Sequence, residues 1–169
     1  MAENQRLEIA HRQIEFGRQY TLSLLEDIDP ADWYRLPSGC SSHIAWQVGH
    51  LAMAEYGLCL FRQRGRQPND SELMNSRFRK LFSRGSQPAT QTESSPTPQE
   101  IRSTLDQVHQ QTLTEIAGFS DEQLGEKIEL PYTAYDTKLG ALLFCSHHEM
   151  LHAGQIGLLR RLLGKQPIR

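Results

Sequence analysis

The sequence predicts an all-α fold, a four-helix bundle with a long crossover connection and one or two short extra helices. Four long segments place apolar or small residues at helical spacing, and several open on side-chain capping patterns. Almost no stretch alternates apolar and polar residues as a half-buried strand does. The 169 residues suit a single helical domain spanning 1–169, able to bury roughly two-thirds of the surface that the unfolded chain exposes.

Residues 4–28 place Leu7, Ala10, Ile14, Gly17, Thr21, Leu24 and Ile28 at steps of three and four, a stripe along one helix face that ends near Asp29-Pro30. After a loop with Pro37, Ser38 and Gly39, Ser41 or Ser42 is placed to cap a second helix. Nearly every position from Ile44 to Leu60 is apolar or small, so that helix is expected to be central. Gly65, Pro68 and Asn69 break it. The stretch DSELMNSRFRKLFS reads as one shorter helix capped by Asp70 or Ser71, with Arg77, Arg79, Lys80 and Arg84 towards solvent. SRGSQPATQTESSPTP has no apolar residues to bury and reads as the long crossover loop. Thr97-Pro98-Gln99-Glu100 joins a capping threonine, a first-turn proline and a capping-box glutamate, and Ile101, Leu105, Val108, Thr112 and Ile116 continue a buried stripe. Ser120 to Gln123 form a second capping box, and Pro131 with its neighbours makes another irregular connection. The last helix begins near Thr137 or Lys138 and stops at Gly164, with arginines in its final turns and Pro167 beyond.

Hydrophobic residues make up 38% and charged residues 22%, with a formal charge of −2, as in ordinary soluble globular chains. That charge gives nucleic acid no electrostatic footprint, and no apolar run reaches the length of a membrane span, so neither partner is expected. The opening MAENQRLEIAHRQ lacks the apolar stretch of a signal peptide. Three cysteines, with Cys59 and Cys145 inside apolar runs, point to buried reduced thiols and a cytoplasmic location.

His148 and His152 are four residues apart in a helix, so both imidazoles lie on one face and can reach one ion. Cys145 and Gln155 extend that stripe, placed to hold a ligand ring or touch a substrate. An open metal site usually has three protein ligands, and the third must come from another element. His50 is the natural supplier, because it sits mid-helix in the most apolar segment, where an unpartnered imidazole costs about 1–3 kcal/mol. A histidine alone in an apolar helix is more often a hydrogen-bonded core residue; the conjunction points to a divalent ion. His147 points to another face, His43 is too far from His50 to share an ion, and His11 and His109 read as surface or interhelical residues. The segment His148-Glu149-Met150-Leu151-His152 also spells H-E-x-x-H, in which the glutamate of a zinc peptidase activates water. The downstream ligands of that class are missing, since Gln155 and Leu158 hold the positions of its glycine and histidine. Glu149 reads equally as a carboxylate that supports a ligand ring or one that lies on the helix surface.

These segments resemble the DinB/YfiT-like superfamily, four-helix bundles whose metal is held by three histidines. HIAWQVGHLAMAE carries the match of His50 to the first ligand, and HHEMLHAGQIGLLRRLLGKQP carries those of His148 and His152. Its H-x-x-x-H-x-G-Q run is the more specific of the two. The resemblance implies one divalent metal ion (zinc, nickel or iron), a small-molecule substrate, a low-molecular-weight thiol as co-substrate, and in some relatives a homodimer. The implied activity is that of a thiol-dependent transferase or a metal hydrolase. A non-catalytic metal- or ligand-binding bundle is the alternative, and a zinc peptidase the remote one.

Overall fold

Local sequence sets most of the helix boundaries. The structure, a computed structural model, describes residues 5–129 and 134–168. Helix α1, Gln5–Leu25, buries Ala10, Ile14, Gly17, Thr21 and Leu24 of the predicted stripe, and with them Arg18, while Leu7 is half-buried and Ile28 lies beyond the helix end. A 3₁₀ turn, Pro30–Asp32, follows, with the Asp29 carboxylate accepting from the Ala31 amide. Helix α2 covers 44–64. It opens as Ile44–Glu55, widens into a π-helical stretch at Tyr56–Phe61 and closes with Arg62–Arg64. Its cap is His43, not Ser41 or Ser42: the His43 Nδ1 lone pair accepts from the Trp46 amide at 3.1 Å, as a capping oxygen would. Ser42 instead accepts from the Gln47 side chain at 2.8 Å.

The single helix expected over DSELMNSRFRKLFS is two, α3 (Asp70–Leu73) and α4 (Ser76–Phe82). Asn75 separates them, its side chain accepting from the Phe78 amide at 2.9 Å and so capping α4. Neither Asp70 nor Ser71 caps α3; the Asp70 carboxylate is taken by Arg64, Tyr56 and the Gln67 amide. Met74, Phe78 and Phe82 turn inward and dock this segment on the core.

The crossover loop leads to α5, Pro98–Ile116, where both halves of the Thr97/Glu100 capping box form and Ile101, Leu105, Val108, Thr112 and Ile116 are buried as predicted. The Ser120/Gln123 box opens the short α6, Asp121–Gly125. An isolated antiparallel bridge pairs Lys127 with Thr137, and Pro131, in the expected irregular connection, lies outside the described residues. Helix α7, Lys138–Leu162, is capped by Thr137 and ends before Gly164, whose φ of +86° suits glycine.

The long helices α1, α2, α5 and α7 form the bundle, with α1 packed on α7 and α2 on both α5 and α7. Two apolar clusters fill it. One gathers Leu24, Val48, Leu51, Leu105 and Ile156, and the other Ile14, Cys59, Ile116, Leu142 and Cys145. Among the described residues, no helix is long and apolar enough to cross a membrane.

Candidate metal centre

Helix α2 contributes His50 and α7 contributes His148 and His152, and one ring nitrogen from each lies within 4.8 Å of the others. Ring centroids are 4.5 Å apart for His148 and His152, 4.9 Å for His50 and His152, and 5.3 Å for His50 and His148. A tetrahedral ion with metal–nitrogen bonds of about 2.0–2.1 Å holds its ligand nitrogens about 3.4 Å apart, so the rings need only a small convergence to share one.

The far side of two of these rings is already committed. His50 Nδ1 lies 2.7 Å from the Phe82 carbonyl, and His152 Nδ1 lies 2.5 Å from Gln47 Oε1. Both partners are acceptors, so in each neutral ring Nδ1 carries the proton and Nε2 keeps its lone pair, the arrangement a metal ligand needs. The Gln47 amide is itself oriented, because its Nε2 donates to Ser42 Oγ and to Gln155 Oε1, each at 2.8 Å. Burial, and then the neighbouring imidazoles, lower His148 to about 4 and His152 to about 3; burial also lowers His50. Three neutral nitrogen donors in an apolar setting fit zinc, nickel or iron(II).

The surroundings hold the cluster from two sides. Trp46 stacks on His50 with centroids 4.8 Å apart and planes 5° from parallel, and its indole N–H donates to Ser86 in the crossover loop at 2.9 Å. His43 ties the same loop down, its Nε2 donating to the Ala89 carbonyl at 3.1 Å. Gly49 lets α4 come close enough to offer the Phe82 carbonyl, since a Cβ there would sit 2.5 Å from the Phe82 ring.

The other residues singled out by sequence go elsewhere. Glu149 is buried towards α1, its carboxylate held by the Arg18 guanidinium at 2.8 and 3.1 Å. Cys145 lies in the apolar cluster with Cys59, and the hydrogen bond that its thiol donates to the Cys59 sulfur, together with burial, raises its pKa well above the usual value. Gln155 is exposed and meets the cluster through Gln47. His147 is exposed, His11 pairs with Glu15 and His109 with Glu55. Sequence reasoning missed Gln47, Trp46 and the Phe82 carbonyl. Of these only Gln47, an amide inside an apolar run, carries a sequence signal that it needs a partner.

The sequence matches the DinB superfamily over residues 13–156. No curated protein matches it. Among solved structures, the crystal structure of a conserved protein from Enterococcus faecalis is similar over 94% of this chain and 97% of that one, with a TM-score of 0.63 and 18% identity, a likeness of fold alone.

Proposed function

This chain belongs to the DinB superfamily, and on that premise we propose that it is a divalent-metal-dependent enzyme acting on a small molecule, a thiol-dependent transferase or a metal hydrolase, with His50, His148 and His152 as the ligands. The observation that carries this reading is the convergence of three imidazoles, two of which have Nδ1 occupied by an acceptor. Held by these three neutral nitrogens, a divalent ion would lower the pKa of a bound thiol or water. The chain's own residues orient the ligands: Gln47 and the Phe82 carbonyl fix two rings, and Trp46 stacks against His50. Glu149 is committed to Arg18, which removes the water-activating base that a peptidase reading requires.

Elemental analysis of protein purified without a histidine tag or added metal tests the assignment. The parent is expected to carry close to one zinc, nickel or iron per chain, and His148→Ala to lose most of it. Equal metal content in the two removes His148 from the site. Metal-dependent turnover of an electrophile by a low-molecular-weight thiol, abolished by a chelator and restored by the ion, distinguishes the transferase from the hydrolase and from a bundle that binds metal without catalysis.

A further inference from the structure

The interior of the bundle contains a second constellation that the metal reading does not use. The Arg18 guanidinium, on α1, is 2% exposed and shares its donors among all the other long helices. It holds Glu149 of α7 through Nε at 2.8 Å and a terminal nitrogen at 3.1 Å. That same nitrogen reaches Glu55 of α2 at 2.7 Å, and the other donates to the Leu105 carbonyl of α5 at 3.0 Å. The second oxygen of Glu55 lies 2.9 Å from Nδ1 of His109 on α5. Glu55 and Glu149 are 1% and 3% exposed, so the carboxylates are as dry as the guanidinium between them.

We propose that Arg18 is a positioning residue for the metal centre, a brace whose two carboxylate partners set the rotation and height of the two helices that carry the ligands. Glu149 lies directly after His148 and close to one turn before His152, and Glu55 lies further along α2 from His50. One planar fork therefore ties together the two helices that present the ligand sets. Apolar packing alone specifies such azimuths loosely, because similar side chains can interdigitate in more than one register. A guanidinium with three partners accepts only one arrangement. Burying three charges adds little net stability, since desolvation offsets most of the attraction; its return is in geometry.

The brace presupposes the metal assignment above, and one set of measurements separates the two. Metal affinity by chelator competition, the visible ligand-field absorption of the cobalt(II)-loaded protein, and the thermal midpoint of the metal-free protein are compared for the parent, Arg18→Lys and the triple replacement Arg18→Met, Glu55→Gln, Glu149→Met. In the triple variant no buried charge is left unpaired, and the amide introduced by Glu55→Gln retains a hydrogen bond for His109. The expected result is an affinity lower by about tenfold or more and a changed cobalt spectrum, while the thermal midpoint is kept or raised. Parent-like affinity and spectrum in the folded triple variant overturn the brace and leave the metal centre standing. Should the triple variant not fold, Arg18→Lys decides, because its ammonium keeps the charge but cannot span the three partners: weakened affinity supports the brace and parent affinity overturns it. A parent that takes up no ion overturns both readings.

Discussion

An imidazole offers to an ion whichever nitrogen does not carry its proton, so the acceptor on its far side decides whether it is ready to bind. At His152 that acceptor is the Gln47 carbonyl oxygen, itself aimed by two hydrogen bonds from its amide nitrogen. Gln47→Leu is expected to weaken metal affinity about 10- to 100-fold with helix content unchanged, and Gln47→Glu, which keeps an acceptor there, to restore most of it. Chelator competition with circular dichroism checks both; a leucine variant with parent affinity would show that the ring needs no such anchor. The three converging histidines are legible in the sequence, because a spacing of four fixes His148 and His152 on one face and an imidazole among apolar neighbours requires a partner. The anchors are not. Gln47 meets His152 across 105 residues of chain, and the anchor of His50 is a backbone carbonyl, a group that every residue possesses.

Between elements, the closest approach that matters is α4 on α2 at Gly49. Replacing Gly by Ala within a helix normally stabilises it by about 1 kcal/mol, yet here the new methyl would meet the buried Phe82 ring at 2.5 Å. Overpacking of this kind costs about 1–3 kcal/mol, and the displacement also carries the Phe82 carbonyl away from His50. Gly49→Ala is therefore expected to lower both stability and metal affinity, whereas Gly154→Ala, where nothing lies within 4 Å of the added carbon, should raise stability by up to about 1 kcal/mol. Denaturant unfolding of the two variants reads the difference, and equal effects would mean that α4 gives way freely. Helix starts marked by capping boxes at Thr97 and Ser120 are readable in advance because they depend on residues three apart. The division at Asn75 and the π-helical stretch after Glu55 are not. The first depends on Met74 turning into the core, and the second leaves Leu58, Cys59 and Leu60 buried in a segment that is apolar in any register.

Across the whole molecule, α2 is tied to the rest by charge at two levels, at Arg18 in the interior and at Arg64 near its end. Arg64 holds Glu115 of α5 at 2.6 and 3.0 Å and Asp70 of α3 at 2.9 and 3.0 Å. The all-α class and the stripes of the long helices follow from periodicity alone, but which charges go inside does not. Locally Arg18 resembles the exposed Arg12, and only carboxylates supplied by other helices make its burial tolerable. The Arg64 cluster gives this arrangement a pH signature. Burial pushes the Asp70 carboxyl up, but Arg64, the Gln67 amide and the Tyr56 hydroxyl outweigh it and hold its pKa at about 2, below the ordinary 3.8. A carboxylate whose folded pKa is depressed contributes stability that is fully present above its unfolded value and is lost as pH falls through the folded one. The stability difference between the parent and Asp70→Asn, which cancels the titration of every other group to first order, should thus stay level from neutral pH to about pH 4. It should then shrink as the pH approaches 2, where Asp70 takes up its proton in the folded protein too. Unfolding in urea across that range measures the difference, and a gap that is already closed at about pH 4 would mean that the three partners do not hold the carboxylate in its charged form.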